Sequence, residues 1–180
     1  KKIILFIFYL TTLISCSEKS DLSNEINLLD GTTCNPGENP NTFNCSIIKN
    51  KLTREFIIYI PESYYSQTSR VPLLFSLHGY TSFARVNIEY TGFKEIADNN
   101  GFIVIYPQGS LWFAPPSDIN GYTSQGQTHW NVGWGNAGTK STSDDITFIE
   151  DLIDWSSSNY NINTDRVYST GMSNGGFMSY

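Results

Sequence analysis

Gly171-Met172-Ser173-Asn174-Gly175 constrains the fold of this 180-residue chain more than any other stretch. Val167 and Tyr168 ahead of it have strand character, and Gly176-Phe177-Met178-Ser179-Tyr180 behind it can begin a helix. G-x-S-x-G therefore marks a strand that breaks into a helix through one sharp turn. A serine at the tip of such a turn sits in strained backbone geometry, and side chains two residues before and two after it would collide, so Gly171 and Gly175 are sterically required. Ser173 would stand with its Oγ exposed above the sheet, a candidate nucleophile for acyl transfer.

The rest of the chain from about residue 44 alternates between strand and helix patterns, the signature of a three-layer α/β domain. Residues 46–48 and 54–60 read as an antiparallel pair, with Phe56, Ile58 and Ile60 on one face of the second strand. Val71-Pro72-Leu73-Leu74-Phe75-Ser76-Leu77 and Phe102-Ile103-Val104-Ile105-Tyr106 are near-continuous apolar runs, as expected of parallel strands buried on both faces. The pattern predicts one helix over 88–99, ended by Asn100-Gly101, and another from Asp144-Asp145 to about residue 157. Ile146, Ile149, Leu152 and Ile153 form the apolar stripe of the second. Asp144 and Asp145 read as helix-capping acids rather than as a metal site, because no His or Cys cluster accompanies them. No metal and no organic cofactor is implied.

Segment 109–141 is too long and too rich in Gly and Ser for a simple connection. Its aromatic residues, Trp112, Phe113, Tyr122, Trp130 and Trp134, argue against disorder. Two readings stay open: a structural flap over the core edge, or a substrate wall built from Trp112, Trp130 and Trp134. His129 reads as a hydrogen-bonding loop residue.

Lys1-Lys2 followed by apolar residues 3–10 reads as a bacterial secretion signal, over residues 1–15, too short to span a bilayer comfortably. Leu13-Ile14-Ser15-Cys16 resembles a lipobox, which makes Cys16 the lipid-bearing residue of an outer-membrane or surface-anchored protein; a plain cleavable signal is the alternative. With Cys16 lipidated, Cys34 and Cys45 remain as an even pair in an oxidising compartment and are expected to bridge. Residues 16–43 are polar and read as a tether, with the folded domain over 44–180. The net charge of −6 argues against nucleic acid as a partner and against an anionic membrane surface, leaving the membrane to be met only through the lipid.

An acyl-transfer serine needs N–H donors aimed at the developing oxyanion. α/β-Hydrolases supply one from the residue after the nucleophile and one from the loop after an earlier central strand. Asn174 fills the first position. Leu77-His78-Gly79-Tyr80 fills the second, with the Tyr80 N–H as donor, Gly79 allowing a tight turn and His78 bracing the loop. The same fold orders its triad Ser, then acid, then His, whereas His78 and His129 both precede Ser173. The expectation is thus the N-terminal part of an α/β-hydrolase fold, with the catalytic Asp and His beyond residue 180 and no turnover by this stretch alone.

Six motifs in register resemble a known family: Arg54-Glu55-Phe56-Ile57-Ile58-Tyr59-Ile60-Pro61, Leu77-His78-Gly79-Tyr80, Ile105-Tyr106-Pro107-Gln108-Gly109, Trp130-Asn131, Asp144-Asp145-Ile146-Thr147-Phe148-Ile149, and the stretch from Asp165 to Met178 around Ser173. In this order they are similar to secreted serine esterases of the polyhydroxybutyrate depolymerase and feruloyl esterase type. The resemblance implies Ser173 as nucleophile, Asn174 and Tyr80 as oxyanion donors, and a feruloyl, acetyl or polyhydroxyalkanoate ester, possibly polymeric in polysaccharide or polyester, as substrate. The Trp-rich segment departs from that family. Fold does not fix function, so a triad-less, polysaccharide-binding surface lipoprotein is the rival expectation.

Overall fold

The computed structural model describes residues 31–49, 52–112, 126–134 and 141–180. Segment 1–15 and Cys16 lie outside the described residues.

A six-stranded sheet forms the middle layer, in the order β1-β2-β3-β5-β4-β8. Its antiparallel side is β1 (Thr33–Pro36), β2 (Thr42–Lys49) and β3 (Leu52–Tyr59). Beyond β3 lie β5 (Ile103–Pro107), β4 (Val71–Leu77) and β8 (Ile162–Gly171), with β4 parallel to both of its neighbours. The apolar run of β5 is buried throughout, as its sequence demands. A two-stranded ribbon, β6 (Ser110–Trp112) with β7 (Gln127–His129), stands apart from the sheet.

The two faces of the sheet are read off the alternation of side chains along each strand. Phe56, Ile58, Leu73, Phe75, Ile103 and Ile105 face α3 (Asp145–Asn159), which buries Phe148, Leu152 and Trp155 against them. Tyr59, Val104 and Tyr106 face α1 (Ala84–Tyr90) and α2 (Phe93–Asn100), which bury Ala84, Ile88 and Ala97. The short α4 (Asn174–Met178) follows β8 directly.

Three expectations are corrected here. The helix over 88–99 is two helices, because the chain turns at Gly92 with φ of 68° before α2 starts. The stripe of α3 is rotated: Phe148, Leu152 and Trp155 are the buried residues, Ile149 and Ile153 pack at its flank, and Ile146 is 65% exposed. The third concerns the tether over 16–43, inside which the sheet already begins. Thr33–Pro36 pairs with β2, and the register sets Cys34 opposite Cys45, where the two form a disulfide. The bridge links facing residues of the edge strand and β2 covalently.

Candidate active site

β8 ends at Gly171 and α4 starts at Asn174, so Ser173 occupies the turn between them. Its backbone is at φ 52° and ψ −115°, a conformation that costs a non-glycine residue about 1–3 kcal/mol. Both flanking glycines are required for space. A Cβ on Gly171 would lie 2.4 Å from the Gly175 carbonyl carbon, and one on Gly175 would lie 2.4 Å from the Leu77 carbonyl oxygen. The strand end, the turn and the first turn of α4 are thus in backbone contact, and Ser173 is left exposed at the carboxyl end of the parallel strands.

The Leu77-His78-Gly79-Tyr80 loop arrives beside it from β4. A Cβ on Gly79 would meet Met172 Cε at 3.1 Å and Ser173 Cβ at 3.8 Å, so the two loops lie against one another. The need for glycine at position 79 is this proximity. The left-handed residue of the turn is Thr81, at φ 65°, whose N–H donates to the Thr128 carbonyl at 2.8 Å. Tyr80, at the loop's tip, is 45% exposed.

His78 is fully buried. Its Nε2 accepts the Gly109 N–H at 2.9 Å, which leaves the proton on Nδ1, where it donates to the Gly79 carbonyl at 2.8 Å. Burial lowers its pKa below the usual imidazole value, against the smaller opposing pull of the Gly79 carbonyl. The ring is therefore a neutral brace between the Gly79 loop and the start of the β6 segment. His129, also buried, pairs through Nδ1 with the Ser110 carbonyl at 2.9 Å and through Nε2 with the Ser141 hydroxyl at 2.6 Å. These four ring nitrogens are engaged by groups other than Ser173.

Of the two readings, the structure favours the structural one for Trp130. It is 1% exposed and so forms no wall of an open site. Its indole Nε1–H donates to the His78 carbonyl at 2.9 Å. Its peptide is clasped by the Asn174 side chain, with Oδ1 accepting the Trp130 N–H at 2.7 Å and Nδ2 donating to the Trp130 carbonyl at 3.0 Å. One residue thus ties the serine turn to the loop after β4. Trp134 is 60% exposed and packs edge-on against Phe177 of α4, with ring centroids 4.6 Å apart, so it flanks the serine. The side chain of Trp112 lies outside the described residues.

The Trp130-Asn131 segment has a second anchor that the sequence did not reveal. Asp145, 2% exposed, is not a helix cap: it accepts from Arg54 Nη2 at 2.7 Å, from the Asn131 N–H at 2.7 Å and from Ser143 Oγ at 2.9 Å. The Arg54 guanidinium also lies 3.9 Å over the Phe148 ring. Asp144 is the cap, accepting the Thr147 N–H. Gln108 was also missed. Its Oε1 accepts the Ala84 N–H at 3.0 Å, and its Nε2 sits 3.2 Å from His78 Nε2. The available signal was the Pro107-Gln108-Gly109 sequence at the end of a buried strand.

No family model matches the chain. It is 31% identical over 127 residues to the bifunctional acetylxylan esterase/xylanase XynS20E of Neocallimastix patriciarum, a match covering 71% of this chain and 15% of that protein. It is 30% identical over 128 residues to acetylxylan esterase A of Emericella nidulans, covering 69% of this chain and 35% of that one. The chain therefore matches about a third or less of the length of these relatives. Its fold aligns with an S-formylglutathione hydrolase from Agrobacterium tumefaciens at a TM-score of 0.54 and 16% identity, covering 82% of this chain and 54% of that one. The fold is that of the α/β-hydrolases.

Proposed function

We propose that the protein is an extracytoplasmic serine esterase that removes acetyl groups from a polysaccharide. The observation that carries the reading is Ser173 held exposed at φ 52° in the β8–α4 turn, with the Gly79 loop packed against it. Of the ester classes expected from the sequence, the acetyl ester is the one supported by acetylxylan esterases at about 30% identity.

In this mechanism Ser173 Oγ attacks the acetyl carbonyl carbon, and its proton passes to a histidine that acts as general base and is oriented by a carboxylate. The Asn174 and Tyr80 N–H groups receive the oxyanion. Collapse of the tetrahedral intermediate releases the sugar hydroxyl, which takes the proton back, and water then frees acetate from the acyl-enzyme. Trp134 and Phe177 offer apolar surface to the sugar beside the ester. The Cys34–Cys45 disulfide supports an oxidising compartment, and lipidation at Cys16 would hold the enzyme at the membrane there.

The test is acetate release from acetylated xylan by the full-length protein and by Ser173→Ala. The reading expects a loss of roughly a million-fold in kcat. Feruloyl or polyhydroxybutyrate turnover with no acetate release would move the substrate assignment to another ester, and turnover unchanged in the variant would end it.

A further inference from the structure

A groove of about 570 Å³ lies beside the oxyanion loop, within the size range of ligand sites. Its floor is set by strand register. Thr33 faces Ser46, which faces Glu55; Asn35 faces Asn44, which faces Ile57. Alternation puts these side chains on the sheet face opposite the disulfide and the Phe56 core, so β1 to β3 present a floor of two hydroxyls, two amides, the Glu55 carboxylate and Ile57. The walls are Phe83 and Arg85 at the start of α1 and Leu111 of β6. Phe83 and Leu111 are 38% and 58% exposed, and the Arg85 guanidinium sits 4.9 Å from the Phe83 ring centroid. At its inner end the groove is lined by Gln108 and Gly109, the residues that contact His78.

We propose that this groove is a subsite for the neutral polysaccharide chain that carries the ester. One acid and one base among its lining side chains, Glu55 and Arg85, leave it without the net charge that a phosphate or polyanion would need. Hydroxyls and amides below with apolar edges at the sides match a sugar ring, which offers hydroxyls around its rim and C–H groups on its faces. Gln108 and Gly109, which line the groove and bond to His78, join its wall to the loop after β4. The inference rests on the esterase reading for its role, although not for its geometry.

The experiment uses the full-length protein, the groove-filling Ser46→Trp and the trimming pair Asn44→Ala with Leu111→Ala. Three quantities are measured: binding of unacetylated xylohexaose by calorimetry, hydrolysis of p-nitrophenyl acetate, and the KM for acetylated xylan. The proposal expects xylohexaose binding by the parent, weakened about tenfold or more in both variants, with KM for the polymer raised by a similar factor and p-nitrophenyl acetate turnover unchanged. Binding that is lost in the variants while no protein hydrolyses either ester would uphold the groove and refute the esterase. No xylohexaose binding by the parent, or unchanged binding and polymer KM in both folded variants, would overturn the groove and leave the esterase standing.

Discussion

The Asn174 side chain spans the peptide of Trp130, accepting its N–H at 2.7 Å and donating to its carbonyl at 3.0 Å, while the Trp130 indole holds the His78 carbonyl at 2.9 Å. The residue after the candidate nucleophile is thereby coupled to the loop that carries Tyr80, the second proposed oxyanion donor. Two loops from different strands, each bearing one proposed donor, are thus held together through a third segment.

Asn174→Ala leaves a buried N–H and a buried carbonyl on Trp130 without side-chain partners, each costing about 1–3 kcal/mol. The variant keeps the backbone N–H proposed to receive the oxyanion. Urea unfolding should show the stability loss. Trp130→Phe keeps most of the ring and removes the bond to His78, so kcat should fall by up to about 100-fold with little change in KM. A KM effect alone would mean that Trp130 contacts substrate instead.

Arg54→Ala strands Asp145, which is 2% exposed and holds the Asn131 N–H. Removing one partner of a buried ion pair costs about 3–5 kcal/mol. The denaturation midpoint should drop accordingly, and a change below about 1 kcal/mol would show that Asp145 is solvated or otherwise paired.

His78 gives a pH signature. In the unfolded chain an imidazole titrates near 6.5, and burial lowers that value in the fold. The unfolded state then binds more protons in the window just below 6.5. The contribution of His78 is full above about pH 6.5 and is lost as pH falls from there through its folded pKa. Between pH 7 and 5 the native protein should lose more stability than His78→Gln, once the variant's own offset at pH 7 is subtracted. Parallel profiles would contradict the neutral-brace assignment.

What the sequence disclosed was local. Gly171, Ser173 and Gly175 lie within five residues, so their steric logic can be read without tertiary contacts, and the buried runs of β4 and β5 announce themselves by composition. Asp145 was misread because its partner Arg54 is 91 residues away in the chain, and a carboxylate before a helix resembles a cap until that partner is known. Trp130 was left open between flap and substrate wall for a similar reason: its backbone is captured by a side chain 44 residues away. The helix break at Gly92 was hidden because the apolar spacing continues across it.

The Cys34–Cys45 bridge closes a loop of separation 11 and joins facing residues of β1 and β2. Chain-entropy arguments put its contribution at about 3 kcal/mol. Cys34→Ser with Cys45→Ser should lower stability by about that much and loosen β1, read as faster amide exchange at residues 33–36. Unchanged exchange there would mean that pairing with β2 suffices to hold the edge strand.

The central claim is that Ser173 is an activated nucleophile, and fluorophosphonate labelling of the full-length protein beside its Ser173→Ala variant tests it most directly. The account predicts stoichiometric labelling, mapped to Ser173 and absent from the variant. A folded full-length protein that takes no label, or a label that persists in Ser173→Ala, would contradict it.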